Sequence, residues 1–178
     1  MVSMTFMFAS GLSIAGMIRV GNQKGLKDYN KMETVARSIM LMTLLLYIGF
    51  AIFFVLFHNY IPTLFLDTND VKQAIVNQEV INMAGKLLLI AAIFQISDGI
   101  QVTALGALRG LQDVNIPMWI SFISYWVIGF PLCIYLALYT DLKAEGIWYG
   151  LLVGLTIAAI FSYLRFHIMA KKYINQNI

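Results

Sequence analysis

The chain has 178 residues, of which 60% are hydrophobic and only 12% charged, with a mean hydropathy of +0.78. An ordinary soluble domain carries about twice that charged fraction. The apolar residues also form long continuous runs without the dyad alternation of a membrane β-barrel, so the class is an all-α integral membrane protein. The net charge of +3 and pI near 9 do not point to nucleic acid, because the basic residues cluster at the ends of the apolar runs, where a membrane protein keeps them.

Five spans are predicted in the bilayer. The first covers about 4–20, with Ser10, Gly11, Ser13 and Gly16 as small residues suited to helix packing. Its first residues have neither the basic region nor the small-residue cleavage site of a signal peptide. The connector GNQKGLKDYNK follows Arg19, and Gly21 and Gly25 are expected to break the helix there. Lys24, Lys27 and Lys31 read as a solvated or headgroup-facing surface.

The second span covers about 37–57 and leads into the acidic connector LDTNDVKQAIVNQE. Asp67 to Asp70 reads as a helix start with acids in its first turn, and their spacing does not match a calcium loop. The third span covers about 80–108. The fourth covers about 118–139, with Trp119 and Tyr139 in the aromatic belts and a kink expected at Gly129 and Pro131. The fifth covers about 147–169, where Gly146, Gly150 and Gly154 make a four-residue ladder that signals a close helix contact. Cys133 is the only cysteine, which excludes an intrachain disulfide and a Cys-based metal site. His58 and His167 stand far apart and read as interface residues rather than metal ligands.

The third span carries the candidate site. Asp98 lies 12 residues after Lys86 and 11 before Arg109. At 1.5 Å per residue that is ~17 Å each way, so its carboxylate lies near the bilayer midplane. A charged group there costs several kcal/mol and is rarely kept without a partner or a task. Gln95 and Gln101, three residues to either side, extend it into a polar arc. Such a carboxylate can hold a proton or bind Na⁺ as a hard oxygen ligand, and the two glutamines can add carbonyl oxygens or hydrogen bonds between helices. Gly85, Ala92, Gly99 and Gly106 recur every seven residues along a second face, a seam for close helix approach.

Nine Lys and Arg fall on one side of the predicted topology: Arg19, Lys24, Lys27, Lys31, Arg37, Arg109, Arg165, Lys171 and Lys172. Lys72, Lys86 and Lys143 fall on the other. That asymmetry places the first side and the C-terminus in the cytoplasm. The N-terminus then lies outside with no signal, and one more helix before Met1 would repair the topology.

GLSIAGMIRVGNQKG, FQISDGIQVTALGALRGLQDVNIPM, ISYWVIGFPL and GIWYGLLVGLTIAAI together resemble the C-terminal lobe of the multidrug and toxic compound extrusion (MATE) family, in its bacterial NorM-like branch. The likeness covers essentially the whole chain. It implies helices eight to twelve of a twelve-helix transporter, with the N-terminal lobe and the seventh helix missing. It further implies multidrug efflux across a bacterial inner membrane: small organic, often cationic compounds exchanged for Na⁺ or H⁺, with no cofactor beyond the coupling ion. Asp98 matches the acidic cation-binding residue of the tenth helix. The family's acidic partner on the seventh helix has no counterpart here.

Two other readings compete with an antiporter. A flippase of lipid-linked saccharides, from the same superfamily, would want Lys or Arg within the spans to meet an anionic carrier, and interior positive charge is scarce. A non-transporting membrane scaffold has no need of the arc around Asp98. An enzyme is not indicated, since the chain carries no nucleophile motif, histidine cluster or metal-ligand spacing.

Overall fold

Apolar runs of this length satisfy their backbone polar groups only as helices when lipid surrounds them. The computed structural model describes residues 2–58, 60, 61 and 74–175. It contains α1 (Val2–Gly25), α2 (Tyr29–Phe57), α3 (Ala74–Gly110), α4 (Asn115–Phe122), a π-helical turn (Ile123–Gly129), α5 (Phe130–Tyr139) and α6 (Lys143–Asn175). Among the described residues five helical segments are long and apolar enough to cross a membrane: Ser3–Gly25, Tyr29–Phe57, Met83–Gly110, Asn115–Tyr139 and Ala144–Asn175. The protein is an all-α integral membrane protein of five such helices. The helix start expected at Asp67 to Asp70 lies outside the described residues.

Helix α3 is the centre of the bundle. α1, α2 and α6 all pack on it, whereas the fourth span (α4, the π turn and α5) packs on α6. Two apolar clusters hold the bundle, one at the C-terminal end of α3 and one around its midpoint. Val20, Met32, Ala36, Leu108, Leu111 and Phe166 belong to the first. Ala51, Phe54, Ile61 and Ala92 form the second. The polar stretch from Gln95 to Thr103 lies between them along the helix.

The seam on α3 meets two partners, side chains of α2 at Gly99 and the backbone of α1 at Gly106. A Cβ on Gly99 would lie 3.1 Å from Thr43 and Tyr47 of α2, and one on Gly106 would lie 2.5 Å from the Ser13 carbonyl oxygen of α1. On α1 itself the small residues divide. Ser13 donates to the Val102 carbonyl at 2.7 Å, whereas Gly11 faces open space. Gly21 does not break the helix as expected. α1 runs through it to Gly25, because Gly21 is a packing residue whose Cβ would lie 3.4 Å from the Gly110 carbonyl oxygen.

The chain reverses instead at Lys27, whose φ is +57°. Lys27 N–H donates to the Lys24 carbonyl and Asp28 N–H to the Gln23 carbonyl, the paired bonds of a Schellman ending. α3 ends the same way, with Gln112 at φ +62° and bonds from Gln112 to Arg109 and from Asp113 to Leu108. The Lys24 ammonium joins the two endings by donating to the Leu111 carbonyl at 2.7 Å, and it also lies over the Tyr173 ring. This lysine is committed to a helix C-terminus, where cations are favoured, rather than free on a solvated surface.

The interruption expected in the fourth span takes the form of the π turn. Phe130 N–H reaches back five residues to the Tyr125 carbonyl. In α geometry the Pro131 ring would press on the carbonyl four residues earlier, and the wider turn ahead of it relieves that conflict. The glycine ladder of α6 packs on this same span. Cβ atoms on Gly146, Gly150 and Gly154 would lie 2.8 Å from Leu136, 2.6 Å from Cys133 and 2.9 Å from the Ser124 carbonyl oxygen, respectively.

Candidate functional site

Asp98 occupies the middle of α3 and is partly buried. Among the described residues its carboxylate takes part in no ion pair and no hydrogen bond. Two tyrosines from other spans lie close enough to feel its charge: Tyr47 of α2 and Tyr125 of the π turn. Both hydroxyls are engaged. Tyr47 is fully buried and donates to the Thr5 carbonyl of α1 at 2.8 Å. Tyr125 donates to Gln101 Oε1 at 2.5 Å.

The two glutamines of the arc differ. Gln101 is buried and its carbonyl oxygen accepts from Tyr125, so it bridges α3 to the fourth span. Gln95 is 1% exposed, and neither its amide nitrogen nor its amide oxygen has a hydrogen-bond partner among the described residues. Leaving such groups unpaired in a low-dielectric interior costs about 1–3 kcal/mol. An unpaired carboxylate and an unpaired amide one helical turn apart form a polar centre with free lone pairs.

The structure thus places Asp98 and Gln101 beside Tyr125, with Tyr47 on the α2 side. Sequence reasoning did not single out either tyrosine. The available signal was a phenol in the middle of an apolar run, an amphipathic ring whose polar tip needs a partner when buried. Neighbouring residues on α3 face elsewhere. Ser97 bonds Thr156 of α6 at 3.0 Å, and Ser97 and Ile100 border a cleft between α2 and α6 that Asp98 does not line.

The basic end of the bundle carries a second polar group. Glu33 pairs with Arg37 at 2.6 Å and with His167 Nδ1 at 3.4 Å, and Arg165 Nε donates to Asp113 at 2.7 Å. His167 thus links α6 to Glu33 of α2. At the opposite end Lys86 pairs with Glu145 at 3.3 Å. Among the described residues no cluster of three His, Cys, Asp or Glu side chains is arranged to hold a metal ion.

Residues 1–135 match the profile of the family described as MatE. The chain is 37% identical over 175 residues to the "Probable multidrug resistance protein NorM" of Bacillus thuringiensis subsp. konkukian, covering 98% of this chain and 37% of that protein. It is 39% identical over 167 residues to the NorM of Pasteurella multocida, covering 92% of this chain and 34% of that one. Among solved structures it resembles the eukaryotic MATE transporter AtDTX14, with a TM-score of 0.80 at 19% identity over 99% of this chain and 39% of that one. It also resembles an inward-facing multidrug resistance MATE transporter of the MOP superfamily, with a TM-score of 0.81 at 16% identity over 99% of this chain and 40% of that one. The chain thus spans little more than a third of the length of the relatives it matches.

Proposed function

This chain belongs to the MatE family, and we propose that it forms part of a secondary active exporter that exchanges Na⁺ or H⁺ for small organic, often cationic compounds. The observation that carries the reading is the Asp98 carboxylate, partly buried in the middle of a membrane-length helix and without a partner among the described residues. A scaffold would gain nothing from such a group, and several kcal/mol oppose its retention without a task.

Asp98 supplies the charge that a coupling ion answers. Gln95 and Gln101 supply neutral oxygens, one unpartnered and one already accepting from Tyr125 but with a second lone pair. Na⁺ entering as a transported substrate would meet a carboxylate and amide oxygens, the hard ligands it prefers. A proton would need the carboxylate alone. Exchange follows if the ion and the organic compound favour different arrangements of the bundle. All five spans keep Lys and Arg out of their middle, which supports cationic compounds over anionic lipid carriers. The basic end, with Lys24, Arg37 and Lys172, lies in the cytoplasm of a bacterial cell on this reading, and so does the C-terminus.

The test is Asp98→Asn in the intact protein, with efflux of a fluorescent organic cation from cells or proteoliposomes as the readout. Ion-driven efflux should fall at least tenfold while the protein inserts and melts normally, because the amide keeps size and hydrogen bonding and is easier to bury than the carboxylate. Efflux at the normal rate, with unchanged Na⁺ and pH dependence, would remove Asp98 from the mechanism.

A further inference from the structure

A cleft of about 780 Å³ runs between α2 and α6, with Ser97 and Ile100 of α3 on its floor. Its walls are apolar: Met40, Leu41 and Leu44 from α2, and Ala159, Ile160 and Leu164 from α6. The rim residues Leu41 and Ile160 are more than half exposed, whereas Met40 and Ala159 beneath them are buried. Arg37 and His167 also line the cleft and close one end of it. From His167 to Thr156 it follows 11 residues of α6. At 1.5 Å per residue that is ~16 Å, from the basic end of the bundle to its middle.

We propose that this cleft binds an anionic phospholipid, with one acyl chain lying between α2 and α6 and the phosphate at the mouth against Arg37 and His167. The inference does not rest on the transport reading, since Asp98 does not line the cleft.

Three observations select this occupant. The first is charge. Nine Lys and Arg of the chain lie at this end of the bundle, against Asp28, Glu33 and Asp113. Such an end attracts anionic lipid, and basic pockets between membrane helices hold lipid headgroups. The second is the mouth itself. Glu33 does not line the cleft, but it holds Arg37 through Nη2 and His167 through Nδ1. The other guanidinium donors stay available to a phosphate, and His167 Nε2 can donate to it as well once the ring is protonated. The third is the deep end. Thr156 Oγ1 donates to the Leu152 carbonyl at 2.7 Å, which leaves Ser97 to donate to Thr156 across their 3.0 Å contact. Both protons are used, so the deep end asks for no polar ligand and an acyl chain can end there. A transmembrane helix about 10 Å wide would need roughly 1,300 Å³ over the same length, more than the cleft offers. A small soluble anion would fill the mouth and leave the apolar walls uncovered.

The intact protein, purified in mild detergent, is titrated with palmitoyl-oleoyl phosphatidylglycerol and with phosphatidylcholine of the same chains, and bound lipid is counted by native mass spectrometry. Phosphatidylglycerol should bind in preference, and inorganic phosphate should not displace it. Arg37→Gln should cut that preference roughly fivefold, the effect of one basic residue near an anionic surface, while phosphatidylcholine binding stays the same. Leu41→Trp, on the exposed rim, should weaken both lipids by filling the groove. A phosphatidylglycerol with a photoreactive acyl chain should label α2 and α6 in the unmutated protein, so the site can be located even if a variant fails to fold. Equal binding of the two lipids, displacement by inorganic phosphate, or labelling spread evenly over the five spans would each overturn the proposal.

Discussion

Tyr125 of the π turn gives its hydroxyl proton to Gln101 Oε1, across a face of α3 that the fourth span covers without close backbone packing. The bond ties the fourth span to the same polar arc that carries Asp98. Tyr125→Phe should strand a buried amide oxygen and destabilise the protein by about 1–3 kcal/mol. Adding Gln101→Leu should recover most of that loss, because a fully apolar pair leaves nothing unsatisfied. Thermal unfolding of the single and double variants in detergent checks both expectations, and additive losses would show that the two residues do not act as a pair.

The α6 glycines differ from Gly49 of α2 in what surrounds them. A Cβ on Gly150 would lie 2.6 Å from the Cys133 backbone nitrogen, whereas nothing lies within 4 Å of one on Gly49. Gly150→Ala should cost about 1–3 kcal/mol through overpacking, and Gly150→Leu should prevent assembly of the fourth span on α6. Gly49→Ala should not reduce stability. Melting temperatures in one detergent are sufficient, and equal melting of the Gly150 and Gly49 variants would contradict this packing.

Asp28 caps α2, accepting from the Lys31 backbone N–H at 3.1 Å and from the Lys31 ammonium at 2.9 Å. The side-chain bond from Lys31, with the backbone bond behind it, holds the Asp28 carboxyl below its ordinary value of 3.8. A carboxyl depressed in the folded state contributes its stabilisation above the unfolded pKa and loses it as pH falls through the folded one. The first turn of α2 should therefore keep its hydrogen-exchange protection at pH 5 to 7 and fray below about pH 3.8. Asp28→Ala should show the frayed pattern at every pH, and unchanged protection in that variant would remove Asp28 as the cap.

Topology can be read with impermeant thiol reagents in intact cells. Lys24 is engaged at the C-terminus of α3 and is a poor position for a probe. Cysteines at Lys31 and Lys172 should resist external labelling, and one at Lys143 should label. The buried Cys133 gives a low background. Labelling at Lys31 with none at Lys143 would invert the orientation.

Composition and the lengths of the apolar runs determined the class of this protein, because a bilayer accepts such runs only as helices whose backbone bonds close internally. The sequence also showed where helices must touch: a glycine recurring every four or seven residues leaves a flat strip whatever helix comes to lie on it. Asp98 stood out for a similar reason, since the cost of a mid-membrane charge depends on depth, and depth follows from counting residues. Partners were a different matter. Which helix met the α3 seam, that Gly21 packs on Gly110 instead of ending α1, and that Tyr47 and Tyr125 approach Asp98 from separate spans all depend on how the helices lie together. The same holds for Lys24, which the sequence presented as a free surface charge and the fold turned into the cap of a helix 87 residues away. These are contacts between distant parts of the chain, and periodicity along one helix carries no record of its neighbours. Only the tertiary structure decided them, because side-chain volumes and unpaired backbone groups from all five spans must be satisfied at once.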